Sequence, residues 1–233
     1  MLLFGEEGQE LLKEATIFIA GAGGLGSPVS MYLAVLGVGT IMLADDDSVE
    51  RTNLNRQILH ADRDIGRRKA VSAGETLEEL NPDIMVKTID ATIDAASIRS
   101  MTGNADGIVD ALDNYPTRYL LNKVAVERGI PLFHGAISGF FGQATTILPG
   151  KTPCLRCIFR NPPPREVFPA VGMTAGVIGM IQANEVCKYL LQKGDLLADR
   201  LLLWDGLQAR VEEVPVERNP ACSVCAGTFI GGD

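Results

Sequence analysis

A chain of 233 residues with 46% hydrophobic and 21% charged residues can bury one substantial core, and none of its apolar runs reaches the roughly 18 residues of a bilayer span. Its 21 Lys plus Arg against 29 Asp plus Glu leave a net charge of −8, which repels polyanions and argues against nucleic acid as a partner. Glu6 and Glu7 stand where a secretory leader would carry a basic region, so no leader is expected and the cytoplasm is the default location.

In chain order, Ala15 to Ala20 (A-T-I-F-I-A) is a short, partly β-branched apolar run that ends in glycines, as a buried strand entering a tight turn does. Ser27 to Leu36 follows as a helix that tolerates Pro28 in its first turn, and Thr40 to Ala44 is a second strand. Ala70, Ala73, Leu77 and Leu80 recur at helical spacing within a helix over Arg67 to Leu80, which Asn81-Pro82 stops. A strand at Ile84 to Ile89, a helical stretch at Ala95 to Met101 and a strand at Gly107 to Asp110 come next. A helix from Pro116 to Arg128 and a strand at Pro131 to His134 complete the alternation that a parallel sheet requires.

Beyond Gly139 the rhythm changes. Gln143 to Leu148 reads as a strand, Asn161-Pro162-Pro163-Pro164 as irregular chain, and Gly172 to Leu191 as one long, largely buried helix. Strands at Leu201 to Trp204 and Ala209 to Pro215 flank a short turn at Gly206 and are expected to pair antiparallel. The expected fold is therefore α/β: a Rossmann-like three-layer sheet, parallel in its N-terminal half with mixed, antiparallel strands at its C-terminal end. One domain, 1–233, is expected, divided into a nucleotide-binding half (1–135) and a second half (136–233).

Gly21, Gly23 and Gly26 form G-x-G-x-x-G between a strand and a helix, where backbone N–H groups and a helix N-terminus can approach a phosphate. Asp45, 19 positions after Gly26, stands where an acid accepts hydrogen bonds from a ribose. A nicotinamide dehydrogenase would use these residues but has no use for the cations that follow. Between Arg51 and Lys69 six cations face two acids, a local excess of +4. Arg63, Arg67 and Arg68 read as a solvated helix start. Arg56 lies among Asn53, Asn55 and Gln57, as in a polar phosphate cradle, and Lys69 opens a helix, where a cation opposes the dipole unless an anion binds. These cations point to a site that cuts a triphosphate. Asp110 and Asp113 end a strand at the ligand-binding edge; Asp113 is the first choice for Mg²⁺, and Asp110 for a turn or cap.

Cys154 and Cys157 (C-L-R-C) with Cys222 and Cys225 (C-S-V-C) have the spacing of a closed four-thiolate zinc site that staples the C-terminal segment. Cys187 reads as a small buried hydrophobe, and His60 and His134 have no companion in the sequence.

Taken together, G-A-G-G-L-G, D-D-D-S-V-E-R-T-N-L-N-R-Q, G-R-R-K-A, D-A-L-D-N, C-L-R-C and R-N-P-A-C-S-V-C resemble the MoeB/ThiF/HesA family of ubiquitin-activating-enzyme-like adenylyltransferases, in unbroken order from Gly5 to Cys225. The resemblance implies that ATP and Mg²⁺ are used to adenylate the C-terminal glycine carboxylate of a ubiquitin-like sulfur-carrier protein ending in Gly-Gly. Molybdopterin and thiamine biosynthesis are among the pathways it implies. Carried over by motif, Gly24 contacts the nucleotide, Asp45 the ribose, and Asn53, Arg56, Gln57 and Lys69 the phosphates. Asp113, with Asn114 beside it, holds the metal, and the four cysteines hold zinc. A homodimer and a separate sulfur donor are also implied.

Two departures from the family bear on activity. Family members begin with an arginine-bearing segment that this chain, starting Met1-Leu2-Leu3-Phe4-Gly5, lacks, so either another cation replaces it or activity is weaker. Arg160 to Thr174 contains no cysteine, which favours simple adenylation over a thioester step. The rival readings are the tRNA threonylcarbamoyladenosine dehydratase branch of the same fold and a non-catalytic nucleotide-binding module.

Overall fold

The computed structural model describes residues 3–161 and 169–227. Helix α1 (Gly5–Glu14) leads into β1 (Thr16–Ala20), α2 (Gly26–Leu36), β2 (Thr40–Ala44), α3 (Lys69–Leu80) and β3 (Met85–Ile89). These are followed by α4 (Ile98–Met101), β4 (Gly107–Asp110), α5 (Tyr115–Arg128), β5 (Leu132–Ser138) and β6 (Phe141–Ile147). The last elements are α6 (Leu155–Ile158), α7 (Gly172–Leu191), β7 (Arg200–Asp205) and β8 (Arg210–Pro215). All eight strands join one sheet in the order β3-β2-β1-β4-β5-β6-β7-β8. Pairing is parallel from β3 through β5 and antiparallel from β5 to β8, as the change of rhythm predicted.

The sheet is covered on both faces. Ile17 and Ile19 of β1 point into one apolar layer with Val29, Leu33, Leu77 and Ile178, while Phe18 and Ala20 point into the other with Ile108, Leu121 and Leu155. Every residue of β1 is buried, which is why this central parallel strand reads as a continuous apolar run rather than an alternation.

Helix α1 was not anticipated. Glu6 and Glu7 in its first turn and Lys13 in its last suit the helix dipole, and buried Leu12 anchors it. Strands β5 and β6 extend beyond the expected Pro131 to His134 and Gln143 to Leu148, through Gly135 and Gly142, to meet at the Ser138–Phe141 turn. Both glycines allow α7 to lie close on the sheet. A Cβ on Gly135 would stand 2.4 Å from Gln182 Oε1, and one on Gly142 would stand 2.3 Å from Ile178 Cγ1. Of the expected irregular segment Asn161 to Pro164, residues 162–164 lie outside the described residues.

Candidate active site

The strand-to-helix turn after β1 is shaped by glycine. Gly21 has φ +103° and donates its N–H to Ala44 O at 2.8 Å, and a Cβ on Gly26 would fall 1.9 Å from Gly21 O. Ser27 closes the first turn of α2 by donating to Gly23 O from both its N–H (2.9 Å) and its hydroxyl (2.7 Å). The N-terminus of α2 therefore opens at the carboxyl edge of the parallel strands, where phosphate is bound in such folds.

Asp45 stands just past β2 and braces this loop. One carboxylate oxygen accepts the Ala22 N–H at 2.8 Å and the other the Asp47 N–H at 2.9 Å. Burial pushes the Asp45 carboxyl above its ordinary range, opposed by the Ala22 N–H and by the Lys69 ammonium.

The polar segment between β2 and α3 folds back over the glycine loop through short turns. Asn53 O accepts the N–H groups of Arg56 (3.1 Å) and Gln57 (3.0 Å), and Asn53 Oδ1 accepts that of Glu50 at 3.1 Å. Arg56 donates from Nη1 to Thr52 O (3.1 Å) and Asn55 Oδ1 (3.0 Å) and pairs with no carboxylate among the described residues. Its stem covers Gly24: a Cβ there would stand 3.4 Å from Arg56 Cγ and 3.3 Å from Ala175 Cβ of α7. Gln57 is 4% exposed and its Oε1 is buried without a partner, while its Nε2 lies 3.6 Å from the Cβ position of Gly23. That oxygen is an acceptor and offers nothing to a phosphate; it is the Nε2 beside Gly23 whose N–H groups can donate to one. Lys69 is the first residue of α3, 6% exposed, and its Nζ meets Asp47 Oδ2 at 2.8 Å. A phosphate would compete with Asp47 for that ammonium.

The β4–α5 loop lies beside the glycine turn, with Ala111 O 2.8 Å from the Cβ position of Gly21. Asp113 is exposed and makes no hydrogen bond or ion pair among the described residues. A free carboxylate at this edge fits Mg²⁺, which keeps several waters and takes few protein ligands. Asn114 caps α5, its Oδ1 accepting the Thr117 N–H at 3.0 Å, so its side-chain amide N–H groups are what it can offer a ligand.

Away from this edge, Cys154, Cys157, Cys222 and Cys225 are all buried, and their sulfurs lie within 4.8 Å of one another. The separations are 4.0 Å for Cys154–Cys157, 3.7 Å for Cys154–Cys222 and 3.5 Å for Cys157–Cys225. Tetrahedral Zn–S bonds of about 2.3 Å place sulfurs about 3.8 Å apart, so four thiolates here fit one zinc ion with no open position.

The structure corrects three expectations. Asp110 takes the turn role expected of it, accepting the Leu112 N–H at 3.2 Å, though it is fully buried; His134, read as isolated, donates from Nδ1 to its Oδ2 at 2.7 Å. Burial pushes the His134 pKa down, against the pull of Asp110, and its Nε2 faces the Gln143 amide nitrogen at 3.4 Å. His60 also has partners. Its Nε2 must carry the proton, because it faces Ala22 O at 3.1 Å, leaving Nδ1 to accept the Ser72 hydroxyl at 2.9 Å. It thus ties the glycine loop to α3, and burial lowers its pKa. Arg67 and Arg68 are ion-paired rather than merely solvated, Arg67 with Asp64 and Glu75, and Arg68 with Asp90. Cys187 is half-buried in α7, and burial pushes its thiol up, as an inert side chain requires.

A glycine loop, an overhanging guanidinium, a buried lysine and a free carboxylate thus meet at the carboxyl edge of a doubly wound α/β sheet, the candidate nucleotide site of this fold. The chain belongs to the ThiF family, which it matches over residues 1–224. It is 45% identical over 227 residues to the SAMP-activating enzyme E1 of Haloferax volcanii, a match covering 95% of this chain and 84% of the relative. It is 42% identical over 232 residues to the sulfur carrier protein adenylyltransferase of Thermus thermophilus, covering 95% and 86%. Among solved structures it is similar to E. coli MccB with AMPCPP and MccA, with a TM-score of 0.86 and 27% identity over 94% of this chain and 68% of that one.

Proposed function

We propose that this chain is an ATP- and Mg²⁺-dependent adenylyltransferase acting on the C-terminal glycine carboxylate of a ubiquitin-like sulfur-carrier protein that ends in Gly-Gly. A carboxylate oxygen attacks the α-phosphorus, the bond to the β-phosphate breaks, and pyrophosphate leaves. Two anions must meet, so the site has to supply positive charge where the transition state is most negative. The observation that carries this reading is the clustering of polar and cationic groups at the Gly21–Gly26 loop: the Arg56 stem covers Gly24, the Gln57 amide nitrogen lies beside Gly23, and the Lys69 ammonium acts on the Asp45 carboxylate that holds Ala22. The names of the two relatives, an activating enzyme and a sulfur-carrier adenylyltransferase, support it.

In this reading Gly21, Gly23, Gly24 and Gly26 cradle the nucleotide, Asp45 takes the ribose, and Asn53, Arg56, Gln57 and Lys69 hold the phosphates. Asp113, assisted by Asn114, would hold Mg²⁺, whose contribution when bound is to neutralise phosphate charge. Cys154, Cys157, Cys222 and Cys225 hold a structural zinc ion. The whole of 1–233 acts as one unit, with 1–135 binding nucleotide and 136–233 binding the carrier and zinc.

The carrier docks on the sheet face opposite α7. Register puts Phe141, Gln143, Leu201, Leu203 and Val214 on that face, with Phe141 51% and Val214 42% exposed, and the face runs along β5 and β6 toward the reaction edge. In support of a homodimer, the neighbouring helices α2 and α7 expose apolar side chains, Tyr32 and Val35 on the first and Met173 and Met180 on the second. No helix among the described residues is long and apolar enough to cross a membrane, and a cytoplasmic enzyme drawing on a separate sulfur donor fits this reading. Which carrier is served decides between molybdopterin, thiamine and other sulfur-transfer pathways. Intact-mass analysis of a Gly-Gly carrier incubated with the enzyme and Mg·ATP tests the reading. A gain of one adenylyl group is expected, and an unmodified carrier would refute it.

A further inference from the structure

The loop that delivers Asp113 is fastened from beneath by a guanidinium that plays no part in the sequence reading. Arg118, in the first turn of α5, is 4% exposed. Its Nη2 donates to Leu112 O at 2.5 Å and to Gly135 O at 3.3 Å, joining the β4–α5 loop to β5. Its Nε lies 3.6 Å from Asp110 Oδ2 and has no hydrogen-bond partner, and its Cζ is 5.1 Å from the Tyr115 ring centroid. Asp110 in turn accepts the Leu112 N–H at 3.2 Å and shares its other oxygen with His134. Both polar groups of Leu112, the residue immediately before Asp113, are therefore held by this buried pair.

Stability alone is a poor account of the arrangement. A buried ion pair repays its desolvation only when its geometry is close and its remaining groups are bonded, and here the pair is long and Nε is orphaned. The well-made contacts are those to backbone carbonyls on either side of the reaction edge. Both carbonyls are held by the one Nη2 nitrogen while Nε faces the acid; a lysine ammonium ends where Cζ stands, one bond short of Nη2, and cannot reach both carbonyls from there.

We propose that Arg118 is a positioning residue for the metal–nucleotide site: it fixes the Leu112–Asp113 peptide so that the exposed Asp113 carboxylate is presented to the phosphates. This rests on the metal-binding role proposed for Asp113. Arg118 is buried and bonds backbone carbonyls, so its effect is carried by the backbone.

The test is Mn²⁺ binding, followed by electron paramagnetic resonance, to the complex with α,β-methylene-ATP, with metal-free binding of the analogue measured separately by calorimetry. Arg118→Lys is expected to weaken Mn²⁺ by about tenfold or more, the usual cost of losing the support of a metal ligand, while metal-free nucleotide affinity stays near wild type. Should Arg118→Lys not fold, the neutral pair Asp110→Asn with Arg118→Gln preserves volume without a buried charge and enters the same titration. Unchanged Mn²⁺ affinity in a folded variant, beside an Asp113→Asn chain that has lost it, overturns the positioning role alone. Parallel loss of metal-free nucleotide affinity overturns it too, because a general structural defect explains that result. An Asp113→Asn chain that binds Mn²⁺ like wild type removes the metal role of Asp113, and this proposal with it.

Discussion

Replacing Gly26 with alanine sets two effects against each other. Gly26 opens α2, and helix propensity alone credits an interior Gly→Ala exchange with about 1 kcal/mol. The added Cβ, however, would stand 1.9 Å from Gly21 O, about 1 Å short of the closest approach real Cβ atoms make. Gly21 cannot yield easily, because its N–H is tied to Ala44 O at 2.8 Å and its other side faces Ala111 O. The turn and the helix start must separate by about that shortfall, at a net cost of about 1–3 kcal/mol typical of overpacking. At about 2–4 °C per kcal/mol for a chain of this size, Tm falls by about 2–12 °C. A displacement of about 1 Å at a phosphate loop costs about a hundredfold in turnover. Thermal melts with and without Mg·ATP, nucleotide calorimetry and carrier-dependent turnover measure the three effects. Gly176→Ala on α7 is the control: its Cβ meets nothing within 4 Å, so propensity acts alone and the melt should rise slightly. A Gly26→Ala chain with wild-type Tm and nucleotide affinity would refute the steric argument.

Lys69→Ala removes a buried cation from the phosphate edge and is expected to lower adenylation about 10²–10³-fold in single-turnover assays, with the fold retained on circular dichroism. Zinc should co-purify at about one ion per chain on elemental analysis. Its removal by a strong chelator should expose the segment around Cys222 and Cys225 to proteolysis, and Cys222→Ser should do the same without chelator. Folding stability should fall as pH drops from about 7 to about 5. Burial holds His60 and His134 below the ordinary histidine pKa of about 6.5, so the unfolded chain takes up protons first and stability present above that value is lost as pH falls through the folded values. Denaturant midpoints across this range should decline less in His134→Gln. Asp45, raised by burial, works in the opposite sense, and the variant separates the two contributions.

Much of the site was legible because its signals are local. The Gly21–Gly26 spacing, the polar run around Arg56 and the two C-x-x-C pairs each need residues close in sequence, and each falls where such spacing demands. What the sequence hid depends on partners far along the chain. Asp110 ends β4 and pairs in register with His134 inside the parallel strand β5, 24 residues on, and Arg118 reaches both the loop before it and β5. The β4–β5 register was the available signal, and it emerges only once the sheet order is known. The expected strands stopped at His134 and began at Gln143, yet Gly135 and Gly142 are strand interior, because α7 fills the space that their side chains would occupy. Helix α1 was missed because its short apolar stripe rests chiefly on Leu12, with Gly8 close to Leu191 of the distant α7.

Exchange of labelled pyrophosphate into ATP measures the central claim most directly, since it reports formation and reversal of the acyl-adenylate at this one edge. The account predicts exchange that requires a carrier ending in Gly-Gly and is lost in Arg56→Ala and in Asp113→Ala. Exchange that proceeds without a carrier, or that survives both substitutions, would contradict it.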